Sequence, residues 1–222
     1  MSRHLRLELD GGSVLFTTRR GGVSEGPYAS LNLGLWTGDD RDRVLENRER
    51  VRAEACAARL ALGPQVHAAH VAVESEEIVE ADGQATARRG VAATVLVADC
   101  LPIALVSPEA VAMLHAGWRG LAAGIVPEGV SALRGLGASR IAAAIGPGAG
   151  PCCYEVGDEV RRALGTDGRN VDLKAIARVS LEAAGAEEIH DVGICTICDE
   201  RFFSHRRDHG VTGRQAGVVW RS

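Results

Sequence analysis

The segment TVLVADCLPIALVSPEAVAMLHAGWRG, residues 94–120, places reactive side chains at the ends of two apolar runs. The first run, 94–98, precedes Asp99 and Cys100, and the second run, 111–114, precedes His115. Short apolar runs that are separated by a turn sequence such as SPEA are typical of neighbouring buried strands. We therefore predict strands over 94–98 and 111–115, with a cysteine and a histidine close together at their ends.

The rest of the chain predicts a mixture of strands and helices without a repeat or a linker. Further strands are predicted over 14–18, 65–74, 140–146 and 211–220, and helices over 39–60, 118–137, 158–164 and 171–185. Pro127 predicts a kink or a restart inside the helix over 118–137. Hairpin-like spacings are as common as βαβ spacings, which favours an α/β fold of the α+β kind over a doubly wound parallel sheet. We expect a layered sandwich of mixed sheets with flanking helices, in a single domain over 1–222.

Composition and charge exclude several classes of partner. Apolar residues make up 46% of the 222 residues and charged residues 24%, which is the balance of an ordinary globular protein. The net charge of −4 provides no electrostatic surface for nucleic acid or for an anionic membrane. The opening residues MSRHLRLELDGG lack the apolar core of a signal peptide. We expect a cytoplasmic protein whose six cysteines are thiols or metal ligands, with no nucleic-acid or membrane partner.

Two kinds of chemistry fit Cys100 and His115. They can form a nucleophile with its general base, or they can be two ligands of one metal ion. A further histidine is available on the predicted strand over 65–74, which contains His67 and His70. Residues three apart on a strand point to opposite faces, so only one of these two histidines can face the same site.

The motifs QVH, ADCLP, HAGWRGL, IGP…GPCCYEV and FFSHRRD…TGR occur in the order found in the YfiH/laccase-domain family, formerly called multicopper polyphenol oxidases. The N-terminal FTTRRGGVSEGPYASLNLG and ENR fit the same family, so that the resemblance covers residues 16–214. It implies a layered α/β sandwich grouped with cysteine-hydrolase-like toxins. It also implies a zinc-dependent purine nucleoside enzyme that phosphorolyses adenosine, inosine and S-methyl-5'-thioadenosine and deaminates adenosine.

The resemblance assigns the family's zinc ligands to His67, Cys100 and His115. Three protein ligands leave a fourth position of the metal open, as catalytic zinc sites require. Copper is a less favoured metal for the same residues. Purine nucleosides and phosphate are the expected partners, and we expect a monomer or a weak homo-oligomer. Asp99 is also a candidate catalytic residue that either orients a metal ligand or caps the turn that follows it.

Candidates for binding substrate come from the same motifs. Phosphorolysis requires cations or backbone N–H groups that hold a phosphate dianion at the anomeric carbon. Arg19 follows a predicted strand, and Arg119 lies at a predicted helix start, where N–H groups attract anions. Arg206 and Arg207 of SHRRD are further cations. Asn32 in SLNLG is either a hydrogen-bonding partner of sugar or base, or a turn-forming residue.

Other functions fit parts of the pattern. A cysteine hydrolase would use Cys100 and His115 but gives no role to His67. An accessory factor in peptidoglycan-precursor editing would need zinc only for its structure. A multicopper oxidase requires more histidine and cysteine ligands than the seven scattered histidines of this chain provide, and we reject it.

Two cysteine-rich segments remain outside this site. Cys195 and Cys198 form CxxC ahead of His205 and His209, but the spacing is too short for a zinc finger, and we expect ordinary thiols and exposed histidines there. The adjacent pair in GPCCYEV is expected to pack beside a turn. Gly148 occupies a position where the family often has cysteine, so catalysis in this chain cannot depend on a thiol there.

Overall fold

The computed structural model of the protein describes residues 3–222, which form two mixed sheets with flanking helices. The strands are β1 (Leu5–Leu9), β2 (Gly12–Phe16), β3 (Arg59–Ala61), β4 (Val71–Val73), β5 (Gly83–Thr86), β6 (Val91–Val97), β7 (Leu101–Val106), β8 (Val111–Ala116), β9 (Ala142–Ile145), β10 (Glu188–Asp191) and β11 (Gln215–Arg221). The α-helices are α1 (Arg41–Glu54), α2 (Trp118–Ala123), α3 (Ile125–Gly135), α4 (Asp158–Leu164) and α5 (Leu173–Ala184). This architecture confirms the expected sandwich of mixed sheets.

The first sheet has the strand order β1-β2-β11-β6-β3, and the second has the order β10-β9-β7-β8-β5-β4. The pairs β3–β6, β4–β5 and β9–β10 are parallel, and the other pairs are antiparallel. Strand β6 belongs to the first sheet and β7 to the second, so the chain crosses between the sheets at residues 98–100.

Alternation of side chains along the strands builds the layers. Phe16 of β2 packs with Ala104 of β7 in the core between the sheets, whereas the adjacent Leu15 packs with Val51 of α1 on the outer face of the first sheet. Leu105 of β7 points the other way and joins the core beneath α3 and α5. The order of layers is therefore helix, sheet, sheet and helices, because residues alternate between faces with a period of two.

The helices follow the predictions with two differences. Helix α1 begins after Asp40, whose carboxylate accepts hydrogen bonds from two backbone N–H groups of the first turn, and it ends before a short strand that was predicted as helix. The helix predicted over 118–137 is two helices, and the break lies at Gly124, where φ is +90°. Pro127 lies in the first turn of α3, where a missing backbone N–H costs no intrahelical hydrogen bond. The interruption of the helix was therefore predicted, but it lies at Gly124, three residues before the predicted position at Pro127.

The strand predictions were less accurate. Only Val71–Val73 of the segment 65–74 is a strand, and His67 lies in the preceding loop with φ of +61°. Strand β7 was not predicted, yet it is a central strand between β8 and β9. The strands β1, β3, β5 and β10 were not predicted, because each is too short or too polar to give an apolar alternation. The last strand begins at Gln215 and not at 211.

Within residues 3–222, each helix is too short or too polar to span a lipid bilayer.

Candidate metal centre and cavity

Cys100 lies at the point where the chain crosses from one sheet to the other. Asp99 has φ of +87°, a left-handed conformation that turns the chain sharply after β6 and directs it into β7. Pro102 of β7 is paired with His115 of β8, so that the thiol at the start of β7 and the imidazole near the end of β8 lie at one edge. The structure therefore places Cys100 and His115 close together, as the sequence predicted.

His67 completes a group of three metal-compatible side chains. One ligand atom from each of His67, Cys100 and His115 lies within 4.8 Å of the others. The two imidazole rings have centroids 4.7 Å apart and are inclined by 70°. An added Cβ on Gly117 would lie 2.8 Å from Cys100 Sγ and 3.3 Å from His67 Cδ2, so glycine is required behind the ligands. The structure therefore brings all three predicted metal ligands together.

Asp82 supports two of these residues and was not identified from the sequence. Its carboxylate accepts backbone hydrogen bonds from Val66, His67 and Ala68 at 2.8–3.1 Å. Its Oδ1 also lies 2.7 Å from His115 Nδ1. The hydrogen bonds from His115 and from these N–H groups outweigh burial, which raises a carboxyl pKa, and the pKa of Asp82 is lowered. An ionised Asp82 fixes the His115 proton on Nδ1 and leaves Nε2 free to bind a metal.

Cys100 and His115 have strongly shifted pKa values. Burial raises the pKa of the Cys100 thiol, but the charge of His115 and hydrogen bonds from both histidines lower it to about 6. Burial lowers the pKa of His115, but the Cys100 thiolate and the Asp82 carboxylate raise it to about 9. Without a metal, the pair is therefore a thiolate and an imidazolium at neutral pH. A bound cation would replace the imidazolium proton as the partner of the thiolate.

Asp99 makes contacts that differ from both roles considered for it. Its Oδ1 accepts a hydrogen bond from Thr196 Oγ1 at 2.7 Å, and its Oδ2 accepts hydrogen bonds from Ser204 Oγ at 3.1 Å and from the Arg206 N–H at 2.7 Å. The carboxylate neither orients a metal ligand nor caps the turn that follows it. It ties the crossing between the sheets to the C-terminal loop, which comes from more than ninety residues further along the chain.

A cavity of about 420 Å³ opens over the three ligands. Its wall contains the cations Arg206 and Arg214 and the aromatic rings of Trp36 and Tyr154. The remaining lining residues are Gly34, Thr37, Leu62, Gly63, Gln65, His67, Leu96, Val97, Ala98, Asp99, Cys100, His115 and His205. His115 is buried, Cys100 is half-buried and His67 is exposed, so the metal group faces the cavity with one open side.

Of the cations predicted to bind substrate, Arg206 lines the cavity, whereas Arg19 and Arg119 lie outside it. Arg19 donates to the Ala29 carbonyl at 2.7 Å and stacks on Phe203, and Arg119 lies over Trp118 and 3.5 Å from Glu159. Neither arginine is part of the lining that the structure describes for residues 3–222.

Asn32 is fully buried, and its side chain forms hydrogen bonds within its own loop. Its amide nitrogen donates to Thr37 and Asp39 at 2.8–2.9 Å, and its oxygen accepts from the N–H groups of Gly34 and Arg214. These contacts match the turn-forming role. Through the Arg214 N–H, Asn32 also fixes a residue of the cavity wall.

Comparison with known proteins places the chain in a family. Residues 13–222 match the sequence model of a family described as multi-copper polyphenol oxidoreductase laccase. The purine nucleoside phosphorylase YfiH of Escherichia coli is 38% identical, with 95% of this chain and 94% of YfiH covered. The purine nucleoside phosphorylase YlmD of Geobacillus stearothermophilus is 39% identical, with 92% of this chain and 88% of YlmD covered. The crystal structure of the Neisseria meningitidis protein NMB0706 superposes with a TM-score of 0.89 at 33% identity, over 100% of both chains.

The chain belongs to this laccase-domain family. Within the family, the chain is similar to the proteins YfiH and YlmD. This similarity confirms the resemblance that its sequence motifs indicated.

Proposed function

We propose that the protein is a zinc-dependent purine nucleoside phosphorylase that acts on adenosine, inosine and S-methyl-5'-thioadenosine. The observation that carries the proposal is the position of the His67, Cys100 and His115 group at the floor of a cavity that also contains two arginines. The names of the similar proteins support the same activity. Adenosine deamination is proposed as a side activity of the same cavity.

The donor set fits zinc. Two imidazoles and one thiolate are ligands that zinc prefers, and Asp82 supplies the carboxylate that commonly supports a zinc-bound histidine. When bound, zinc would supply a Lewis acid at the fourth, open position. Two histidines and one cysteine also bind copper in electron-transfer proteins, but such sites are closed to substrates, whereas this group lines a cavity of about 420 Å³.

Arg206 and Arg214 are proposed to hold the phosphate. Arg206 Nη1 donates to the Glu155 carbonyl at 2.8 Å, and its guanidinium lies 5.2 Å from the Tyr154 ring centroid. Arg214 Nη1 donates to the carbonyls of Thr212 and Gly213 at 3.2 and 2.9 Å. Burial lowers the pKa of Arg214, but an arginine remains charged at neutral pH. Two fixed cations in a partly enclosed site suit a dianion, which they would hold against the anomeric carbon.

Trp36 and Tyr154 are proposed to bind the nucleoside. The Trp36 side chain is 76% exposed at the cavity rim, which is unusual for a large aromatic residue without a partner. Leu62 and Leu96 provide apolar wall between this rim and the metal group. His205 is an imidazole of the wall outside the metal group, and we assign it the protonation of the departing purine.

The carboxylates of the cavity favour phosphorolysis over deamination as the main reaction. Zinc nucleobase deaminases use a free glutamate as general acid and base. Across residues 3–222, Asp99 is the one carboxylate in the lining, and both of its oxygens accept hydrogen bonds from the C-terminal loop. A hydrolytic reaction would therefore lack an unengaged carboxylate to activate water.

The test is product analysis with and without phosphate. Purified protein is incubated with adenosine, and adenine, ribose-1-phosphate, inosine and hypoxanthine are separated by chromatography. We expect adenine and ribose-1-phosphate in equal amounts only when phosphate is present, with inosine as a minor product. Cys100→Ser is expected to abolish adenine release, whereas Cys56→Ser, which removes an exposed thiol outside the cavity, is the matched control. Equal adenine release without phosphate would identify a nucleoside hydrolase, and inosine alone would identify a deaminase.

A cysteine hydrolase is the second candidate, because the lowered pKa of Cys100 and the adjacent His115 form an activated nucleophile without any metal. It would be insensitive to chelators, in contrast to the zinc enzyme.

A further inference from the structure

Four cysteines from two distant segments lie together outside the cavity. Cys152 and Cys153 follow β9, and Cys195 and Cys198 follow β10. Their four Sγ atoms all lie within 4.8 Å of one another. Cys198 Sγ is 3.4 Å from Cys152 Sγ and 3.0 Å from Cys153 Sγ. We call these residues the four-cysteine cluster.

This arrangement differs from the expectations drawn from the sequence. The adjacent pair Cys152 and Cys153 was expected to pack beside a turn without sharing a metal, and the CxxC pair was considered only with the histidines that follow it. In the structure, His205 lines the cavity and the CxxC pair meets the adjacent pair instead. The partner of the CxxC motif was hidden because it lies more than forty residues earlier in the chain.

We propose that the four-cysteine cluster is a second metal site, which binds a structural zinc ion through four thiolates. A tetrahedral ion with Zn–S bonds of about 2.3 Å separates its sulfur ligands by roughly 3.8 Å. Separations of 3.0 and 3.4 Å, with the other pairs within 4.8 Å, require shifts of less than about one ångström to reach that tetrahedron. The CxxC spacing is one that zinc-binding turns commonly use.

The backbone around the cluster is built to accept sulfur ligands. The Gly150 N–H points at Cys195 Sγ at 3.2 Å, a donor that stabilises a metal-bound thiolate. A Cβ on Gly150 would lie 3.0 Å from Cys195 Cβ and 3.4 Å from the sulfur atoms of Cys152 and Cys195. A side chain at this position would press on Cys195 Cβ. Four protein ligands complete the coordination of zinc, so the site has no open position for a substrate.

The position of the cluster explains what the ion would do. The segments that carry the cysteines are bridged directly, since the Thr196 N–H donates to the Gly148 carbonyl at 3.0 Å. Both segments then hold Asp99, one through Thr196 Oγ1 at 2.7 Å and the other through the Ala149 N–H, which donates to the Asp99 carbonyl at 2.7 Å. Asp99 precedes the metal ligand Cys100. Zinc in the four-cysteine cluster would therefore fix the two loops that hold residues 98–100, where the chain crosses between the sheets beneath the cavity.

A disulfide is the competing account of the same contacts. It would join Cys198 to Cys152 or Cys153, and a second disulfide could join Cys195 to the remaining cysteine. Zinc uses all four sulfurs, and each coordinated thiol releases its proton on binding. No electron transfer accompanies zinc binding, whereas a disulfide requires an oxidant. Mass and metal content therefore separate the two accounts.

The experiment counts zinc by elemental analysis in protein purified in the presence of reductant. The wild-type chain is expected to hold two zinc ions, Cys198→Ser one, Cys100→Ser one, and the double variant none. Cys56→Ser, which changes an exposed thiol outside both groups, is expected to keep two. A single zinc in the wild type that Cys100→Ser removes completely would overturn the proposal. So would a mass two or four daltons below that of the reduced chain in protein purified without reductant, with Cys198 in a disulfide. Loss of purine release alone would concern the proposed function and not this site.

A second measurement covers the case in which Cys198→Ser does not fold. Wild-type apo-protein is titrated with cobalt(II), whose intense absorption with thiolate ligands depends on the number of sulfurs. We expect two binding phases, one with the spectrum of four thiolates and one with that of a single thiolate. The four-thiolate phase is expected in Cys100→Ser as well. Its absence from both proteins would overturn the proposal.

Discussion

Asp82 Oδ1 accepts a hydrogen bond from the His67 backbone N–H at 2.9 Å and another from His115 Nδ1 at 2.7 Å. One carboxylate oxygen therefore fixes the main chain of one proposed metal ligand and the ring of another. The Asp82 carbonyl also accepts the His115 N–H at 2.7 Å. His67 lies in a loop and not on a strand, and this carboxylate holds the loop against the sheet together with Gln65, whose side chain hydrogen-bonds the Leu96 backbone at 2.8 Å.

Replacing Asp82 with asparagine is expected to weaken zinc binding. The amide cannot accept from His115 with the strength of a charge, and residues that support metal ligands typically contribute about 10- to 100-fold in affinity. The measurement is the free zinc concentration at which half of Cys100 is protected from alkylation. Mass spectrometry reads Cys100 separately, so that zinc bound elsewhere does not affect the result.

Asp99→Asn is the matched comparison for this variant. Asparagine tolerates the left-handed backbone found at this position, and the Asp99 carboxylate contacts no metal ligand side chain. We expect the zinc midpoint for Cys100 to move much less than in Asp82→Asn. The opposite order would show that Asp99 and not Asp82 supports the metal.

The reactivity of Cys100 is expected to depend on both metal and pH. In the zinc-bound protein, iodoacetamide should label Cys100 slowly, because the metal engages the thiolate. After chelation, labelling should rise with pH through about 6, the pKa that the two histidines impose. An ordinary thiol, with a pKa of about 8.5, reaches the same rate only at higher pH. Exposed Cys56 serves as that reference in the same sample. Fast labelling without chelator would favour the cysteine hydrolase.

Phosphate binding is expected to depend on Arg206 and Arg214. Alanine at either position removes a charge-assisted hydrogen bond of about 1.5–3 kcal/mol, which corresponds to a rise of roughly 10- to 100-fold in the KM for phosphate. The KM for adenosine should change less, because the nucleoside is uncharged. Steady-state kinetics with phosphate varied at saturating adenosine provide the measurement.

The same kinetics decide between the pair Arg206 and Arg214 and the pair Arg19 and Arg119. If Arg19 or Arg119 binds phosphate, alanine there raises the KM for phosphate and alanine at Arg206 or Arg214 does not. Arg140→Ala is the neutral control, because Arg140 is exposed and pairs with Glu187 away from the cavity.

The proximity of the three proposed metal ligands could be predicted from the sequence, and the residue that supports them could not. Cys100 and His115 end apolar runs that are visible without a structure, and motifs supplied His67. Asp82 precedes a strand of four residues, Gly83–Thr86, which leaves no periodic signal. Its contact with His115 spans thirty-three residues and depends on how the strands pair. No local pattern contains that information.

Arg214 could not be identified from the sequence for a related reason, and Arg206 was named only as a further cation of SHRRD. Arg206 and Arg214 lie in a C-terminal loop with little regular structure, and Asp99 and Asn32 bring this loop to the cavity through long-range hydrogen bonds. Arg19 and Arg119 stand beside glycines at strand and helix ends, where anion sites are common, but their side chains are directed elsewhere. A sequence motif can indicate that a charged residue lies near a site, but it does not indicate where the side chain points.

Gly148 provides a test of packing behind His67, Cys100 and His115. An added Cβ would lie 2.5 Å from Leu101 Cδ2 and 3.0 Å from the Asp99 carbonyl oxygen, and Leu101 is fully buried. Gly148→Ala is therefore expected to lower the free energy of unfolding by about 1–3 kcal/mol, the usual cost of overpacking. Gly135→Ala is the matched control, because Gly135 lies in the last turn of α3 with nothing within 4 Å of an added Cβ. There alanine should raise the free energy of unfolding by up to about 1 kcal/mol, since it favours helix. Urea denaturation of the two variants measures both changes, and equal effects in the same direction would show that Leu101 and the Asp99 turn adapt without strain.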